Sequence, residues 1–66
     1  MRLIITLHAR ERMDYHGITE EQIKTAIQRG AKVPQTDGFL VMYTYIRVAY
    51  KVKYDKCIIK TVMMDR

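Results

Sequence analysis

Two histidines and one arginine near the N-terminus have the residue types and the spacing of a site that handles phosphate. His8, Arg12 and His16 recur at every fourth residue, so on a helix of about 3.6 residues per turn they form one polar stripe. An imidazole exchanges protons near neutral pH, and a guanidinium binds phosphate through two parallel hydrogen bonds. All three groups are cationic or can become so, and they repel one another at this spacing. The stripe is therefore expected to face an anion from outside the chain, and phosphate is the leading candidate.

A short helix must carry this stripe. Ala9 and Met13 lie beside it and are predicted to face a core. Gly17 is predicted to end the helix, because glycine accepts the left-handed conformation found at many helix ends. Arg10 and Asp14 are four residues apart and are expected to form a supporting ion pair.

A second helix is predicted to follow almost without a loop. Thr19 and Gln22 have the spacing of a capping box, which predicts Thr19 as the N-cap. Ile23 and Ala26 lie on one side of this helix and are predicted to be buried. Gly30 is predicted to close the helix.

The rest of the chain has the composition of β-strands. Val, Ile, Tyr and Thr are frequent, and apolar residues alternate with polar ones. Pro34 cannot donate a ladder hydrogen bond, which favours an edge position for its strand. The predicted strands are 2–7 before the helices and 32–36, 39–46, 47–54 and 57–64 after them, with turns at Asp37-Gly38, near Ile46-Arg47 and at Asp55-Lys56.

This order of elements predicts a single domain of the α+β class over residues 1–66. The order β-α-α-β-β-β-β predicts a two-helix hairpin, near 8–17 and 19–30, on one face of an antiparallel sheet of three to five strands. The pattern leaves open where the strand before the helices pairs.

The charge of the chain favours an anionic partner. Twelve Lys and Arg against seven Asp and Glu give a net charge of +5 and a pI of about 9.6 on 66 residues. Nucleic acid and an acidic protein are the two partner classes that fit. No apolar run approaches the ~20 residues of a membrane span, so no membrane partner is expected.

Cysteine usage favours the cytosol. Cys57 is the only cysteine, so it can neither close a disulfide within the chain nor build a zinc site, and it is predicted to be a small buried apolar residue. The first apolar segment is too short for a secretory signal, which also predicts a cytosolic protein.

Three motifs stand out along the chain: His8-Ala9-x-x-Arg12-Met13, then Gly17-Ile18-Thr19, then a strand ending in Ile58-Ile59-x-Thr61-Val62. They resemble the motifs of the minimal members of the RelE/ParE toxin superfamily, close to the BrnT type. The resemblance covers nearly the whole chain, although His16 stands where that family typically has Arg. It implies a toxin that cleaves RNA without a metal ion or cofactor, often on the ribosome, and that a cognate antitoxin protein neutralises.

RNA cleavage gives the stripe residues definite roles. His8 would act as the general base or acid, and Arg12 would bind the phosphate and stabilise its growing charge. His16 is the third candidate. Each also has a structural alternative: His8 bonds to nearby backbone, Arg12 forms a salt bridge, for example with Asp65, and His16 is an exposed residue at a helix end.

The sheet offers further candidates for RNA binding. Lys51, Lys53 and Lys60 are predicted to share one sheet face with Arg47, and a basic face across from the stripe would form a groove for an RNA backbone. Tyr45 is the tyrosine predicted to stack on a base. The alternative is a solvated face with lysines that protect a sheet edge, and tyrosines that pack within the sheet.

Two functions of different classes fit these observations. The first is a metal-independent endoribonuclease toxin, and the second is a non-catalytic basic module that docks RNA or an acidic protein. Gly-rich phosphate loops, HExxH and zinc spacings do not occur, so kinase and metalloenzyme functions are disfavoured. A small core also predicts stabilisation by a partner, either an antitoxin segment or a second copy in a homodimer.

Overall fold

Five strands form one sheet, and two helices cover one of its faces, in the computed structural model of this chain, which describes residues 2–65. The sheet order is β1-β5-β4-β3-β2. The α+β class and the predicted order of elements are confirmed. The elements are β1 (Arg2–Ile5), α1 (Leu7–His16), α2 (Glu20–Arg29), β2 (Ala31–Gln35), β3 (Gly38–Tyr43), β4 (Ile46–Lys53) and β5 (Lys56–Met64).

The sheet is mixed, so the prediction of a wholly antiparallel sheet was wrong at one strand. β2, β3, β4 and β5 pair as consecutive antiparallel hairpins. β1 pairs in parallel with β5, with Ile4 opposite Ile58. Hairpins follow from short turns, whereas a strand followed by two helices is free to pair in parallel with the far end of the chain.

The core lies between the sheet and the two helices. Ala9 and Met13 of α1 are buried as predicted, and so are Ile23 and Ala26 of α2. Cys57 is also fully buried and free, in agreement with its prediction. The sheet contributes further side chains to the same cluster, among them Val41, Val48, Tyr50, Ile59 and Val62.

Helix α1 begins at a threonine cap rather than after a longer strand. β1 was predicted to continue to Leu7, but it ends at Ile5, and Leu7 is 78% exposed as the first residue of α1. Thr6 is the N-cap: its Oγ1 accepts from the backbone N–H of Ala9 at 3.2 Å and donates to the carbonyl of Ile59 at 2.9 Å. Because Thr6 makes these bonds, β1 ends two residues before the predicted end at Leu7.

The other ends of the helices follow local chemistry. Gly17 ends α1 with a φ of 72°, as predicted. Thr19 and Gln22 form the predicted capping box of α2. The predicted pair of Arg10 with Asp14 is not formed, because Arg10 instead contacts Glu20 of α2 at 3.0 Å. Neither helix in the described residues is long and apolar enough to cross a membrane.

Two hairpin turns contain neither Gly nor Asn: Thr44-Tyr45 between β3 and β4, and Tyr54-Asp55 between β4 and β5, one residue before the predicted Asp55-Lys56. The β3–β4 turn occupies Thr44 and Tyr45, two residues before the predicted position near Ile46-Arg47. Thr44 takes a φ of 53°, and its hydroxyl bonds to the Tyr43 carbonyl at 2.6 Å. A positive φ is rare outside Gly, Asn and Asp, which is why the pattern misplaced this turn.

Gly30 is required for space rather than for backbone freedom. Gly30 closes α2 as predicted, and its φ of −75° is open to any residue. A Cβ at this position would lie 2.5 Å from the Ala26 carbonyl oxygen and 2.6 Å from Cγ2 of Val41. The end of α2 therefore approaches β3 as closely as a glycine allows.

We predict that Gly30→Ala lowers the free energy of unfolding by about 1–3 kcal/mol, because the added methyl group must displace backbone. Urea denaturation measures this change. Gln28→Ala, on the exposed side of the same helix, is the matched control and is expected to stay within about 0.5 kcal/mol of wild type. Equal stability of Gly30→Ala and the control would contradict the close approach.

A second prediction concerns alkaline pH. Burial raises the pKa of the Cys57 thiol from its ordinary value of 9.0, although Lys32 opposes this, and burial likewise raises the pKa of Tyr50. The unfolded chain then loses the thiol proton at lower pH than the folded chain, so stability falls as pH rises above about 8. We expect Cys57→Ala to reduce the loss of stability between about pH 8 and pH 10, as measured by urea denaturation. If the stability of Cys57→Ala falls equally steeply with pH, titratable groups other than Cys57 cause the loss.

Candidate functional site

One flank of α1 faces away from both the core and α2. Ala9 and Met13 point into the core, and Arg10 lies on the flank that contacts Glu20 of α2. Helical geometry places Arg12 on the opposite flank from Arg10. The flank away from α2 carries the predicted stripe.

Three side chains on this flank touch one another. Nη2 of Arg12 lies 3.3 Å from Nε2 of His16, and because arginine only donates, Nε2 is the acceptor in this contact. The guanidinium carbon of Arg12 lies 5.3 Å from the ring centre of Tyr15, a cation–π distance. The rings of Tyr15 and His16 meet edge to face at 5.0 Å. We refer to His8, Arg12, Tyr15 and His16 together as the α1 flank.

His8 lies on the exposed surface one helical turn before Arg12. Within residues 2–65, its side chain makes neither a hydrogen bond nor an ion pair. The structural alternative of a bond to nearby backbone is therefore not formed among these residues. The imidazole is free to meet a ligand.

Arg12 has no carboxylate partner among the described residues. Its proposed structural partner, Asp65, instead pairs with Arg47 at 2.6 Å. Several other surface cations are compensated: Arg10 by Glu20, and the two lysines considered below by one aspartate. The α1 flank thus holds an uncompensated guanidinium between two imidazoles, which is an arrangement suited to an anion.

Sequence reasoning missed Tyr15. This ring is 77% exposed and lies against Arg12, whereas the sequence pattern pointed to base-stacking tyrosines only in the strands. The available signal was its position three residues after Arg12, which puts both side chains on one helix flank. Tyr45 is 64% exposed on the β3–β4 turn, where its carbonyl accepts from the Asp65 N–H.

The sheet lysines lie on the face that the helices leave uncovered. Tyr50 points into the core, so its neighbour Lys51 points to the opposite face. Lys51 and Lys60 both reach the carboxylate of Asp37, at 4.0 and 3.7 Å, and Nζ of Lys60 also donates to the Asp37 carbonyl at 2.7 Å. Alternation places exposed Lys53 on the same face.

These lysines and the α1 flank therefore lie on opposite sides of the sheet. The groove predicted between them is not formed, because the stripe belongs to the helix layer. The contribution of Arg47, Lys51, Lys53, Lys60 and Tyr45 to RNA binding stays a prediction.

A cleft of about 330 Å³ opens between α2 and the sheet, apart from the α1 flank. Leu3 and Ile27 give it an apolar lining, and Lys24 and Lys32 add two cations. Within residues 2–65, His, Cys, Asp and Glu side chains do not gather in groups of three as a metal site would require.

Comparison with known proteins identifies the family of this chain. No curated protein and no solved structure matches it. Residues 5–64 match the family described as Domain of unknown function (DUF4258), and this span includes the whole α1 flank, both helices and strands β2 to β5. The chain therefore belongs to the DUF4258 family.

Proposed function

We propose that this chain is the toxin of a toxin–antitoxin pair and cleaves RNA at the α1 flank without a metal ion. One observation carries the proposal: Arg12 is half-buried on a flank without a carboxylate partner among residues 2–65, and the exposed His8 lies one turn away. The resemblance of the motifs to RelE/ParE toxins supports the same activity. Membership of DUF4258 is compatible with it and adds no activity of its own.

The bound RNA places a phosphate on Arg12. Its guanidinium offers two parallel hydrogen-bond donors to a phosphate. The phosphate is bound more strongly because no carboxylate competes for the same guanidinium. The exposed ring of Tyr15 beside it offers a stacking surface for a neighbouring base. The site thus recognises a phosphate and a base together.

Cleavage proceeds by attack of the 2′-hydroxyl on the adjacent phosphorus. His8 takes the hydroxyl proton, the 2′-oxygen bonds to phosphorus, and the bond to the 5′-oxygen breaks. Arg12 stabilises the charge that grows on the phosphate oxygens. The products are a 2′,3′-cyclic phosphate and a 5′-hydroxyl.

His16 supplies the second proton. In the free protein its Nε2 accepts from Arg12. A phosphate that takes over the donors of Arg12 frees this nitrogen for a proton, and the resulting imidazolium can protonate the departing 5′-oxygen. Binding of the substrate therefore allows His16 to act as the general acid.

The non-catalytic binding module remains the second candidate, and one observation favours it. A catalytic imidazole is usually oriented by a third group, and His8 has no such partner within the described residues. In that case the α1 flank binds RNA and releases it uncut. The proposed setting is the cytosol in both cases, with a cognate antitoxin and ribosome-bound RNA as the partners that the resemblance implies.

We predict that His8→Ala slows RNA cleavage by about 10²–10⁴-fold and Arg12→Ala by about 10²–10³-fold, since each removes one contribution to the transition state. Both should fold normally, because neither side chain is in the core. Cleavage rates of purified protein and growth after induced expression measure the effect.

Arg10→Ala is the matched control, because it removes the same charge from the opposite flank of α1. It should cleave RNA like wild type. Wild-type rates in both site variants, or an equal loss in Arg10→Ala, would move the active site elsewhere. Uncut RNA in the presence of wild-type protein, with and without ribosomes, would leave only the binding module.

Salt dependence tests the phosphate contact separately from the chemistry. Binding to a single strand weakens with salt by a log–log slope of about −0.7 for each phosphate contact, because counterions are released. With an oligonucleotide that lacks the 2′-hydroxyl at the cleaved position, Arg12→Gln should flatten the slope by about 0.7, and Arg10→Gln should leave it unchanged. Equal slopes in all three proteins would show that Arg12 does not contact phosphate.

A further inference from the structure

The cleft between α2 and the sheet combines an apolar lining with two cations, and it takes no part in the chemistry proposed for the α1 flank. We refer to Leu3, Lys24, Ile27, Gln28 and Lys32 together as the α2 cleft. Its volume is about 330 Å³. Pockets for small molecules typically have volumes of about 300–1,000 Å³. The α2 cleft is therefore large enough to hold a compact organic ligand.

The floor of the α2 cleft belongs to the apolar side of the sheet. Leu3 on β1 and Val52 on β4 both pair with Cys57 of β5. Cys57 is fully buried in the core, so all three side chains face the helix layer. Val52 is nevertheless 45% exposed, which shows that the helices leave this end of the apolar face open. On the other side of the cleft, Ile27 of α2 is only partly buried against the core. A ligand with an apolar body would remove this surface from water.

Lys32 is a cation on the side of its strand that normally carries apolar residues. It pairs with Val41 in the register of β2 and β3, and Val41 is fully buried. The side chain of Lys32 therefore lies on the helix side of the sheet. Burial raises the pKa of the Cys57 thiol and the charge of Lys32 opposes this shift, which agrees with an ammonium group on that side. Within residues 2–65, Lys32 forms no ion pair.

Lys24 supplies the second cation, from the helix that forms the other wall of the cleft. Its carboxylate contact within the described residues is with Glu21, at 3.8 Å. The Glu21 side chain is 86% exposed, so this ion pair is weak and an anion in the cleft can replace it. The neighbouring amide of Gln28 can donate a hydrogen bond to the same anion. Cations from α2 and from β2 thus meet at one apolar cleft.

We propose that the α2 cleft binds a small organic anion with an aliphatic body, whose carboxylate lies against Lys24 and Lys32. Inorganic phosphate would leave the apolar lining uncovered, and RNA would place charged phosphates against it. A protein segment needs a contact of about 1,000 Å² or more for a stable complex, whereas this cleft has the volume of a single small ligand. The α2 cleft lies apart from the α1 flank, so this inference goes beyond RNA cleavage and does not depend on it.

Protection of the sheet edge would explain Lys32 alone. β2 is an edge strand of the sheet, and inward-pointing charges on edge strands discourage pairing with other sheets. That role needs neither the second lysine on α2 nor the cleft between the two. Only a ligand site predicts that a carboxylate with an apolar body binds here.

Titration of the isotope-labelled full chain with three small molecules tests the proposal. Octanoate carries the aliphatic body and the carboxylate, 1-octanol carries the body without the charge, and acetate carries the charge without the body. We expect octanoate to shift the backbone amide signals of Leu3, Ile27 and Lys32. Acetate should leave these signals unchanged, because it covers none of the apolar lining.

Two pairs of substitutions separate the cleft lysines from overall charge. Lys24→Gln with Lys32→Gln should weaken octanoate binding by about three- to tenfold, since two exposed ion pairs are lost. The same pair should leave binding of 1-octanol unchanged. Lys51→Gln with Lys60→Gln is the matched control, because it removes the same charge from the other face of the sheet. It should leave the binding of both molecules unchanged.

Three results would overturn the proposal. The first is the absence of any shift of the cleft signals with millimolar octanoate. The second is an equal loss of octanoate affinity in the two lysine pairs, which would assign the effect to overall charge. The third is wild-type octanoate affinity in Lys24→Gln with Lys32→Gln, which would leave edge protection as the role of Lys32. None of these measurements uses RNA, so failure here and failure of the proposed cleavage are distinguishable.

Discussion

The packing of α1 on the sheet depends on the hydroxyl of Thr6. It caps α1 through the Ala9 N–H and at the same time donates to the Ile59 carbonyl of β5. A cap of this kind is worth about 0.5–2 kcal/mol, which is a sizeable part of the stability of so short a chain. Because one side chain fixes both the start of α1 and its contact with β5, it also sets which residues of α1 face inward. The α1 flank faces away from the core as a direct result.

The irregular pairing of β4 with β5 begins at the same place. Ala49 pairs with Thr61 while Tyr50 pairs with Ile59, so Lys60 has no direct partner on β4. A bulge of this kind keeps residues on either side of it in their required faces, here Ile59 in the core and Thr61 outside. The extra residue is also the lysine that reaches Asp37 across the sheet face left uncovered by the helices. The bulge thus shapes both surfaces of the sheet.

The parts that the sequence predicted are those determined by local chemistry. The stripe of His8, Arg12 and His16, the capping box at Thr19 and the end at Gly17 depend on residues within one or two helical turns. The parallel pairing of β1 with β5 could not be predicted, because it joins the two ends of the chain. The same holds for the contacts of Asp37 with two lysines, which depend on the bulge and on the sheet order. The residues of the candidate site could therefore be proposed largely from their spacing in the sequence. The residues that surround the site could be assigned only from the folded structure.

The chemistry of the product ends is the most direct test of the proposal that the α1 flank cleaves RNA through the 2′-hydroxyl. Purified chain is incubated with a short RNA and a chelator of divalent ions, with and without ribosomes, and the ends are identified by mass spectrometry. Attack by the 2′-hydroxyl predicts 2′,3′-cyclic phosphate and 5′-hydroxyl ends, and no cut where the attacking 2′-hydroxyl is replaced by hydrogen. Products with 3′-hydroxyl ends, or a cut at the 2′-deoxy position, would contradict it.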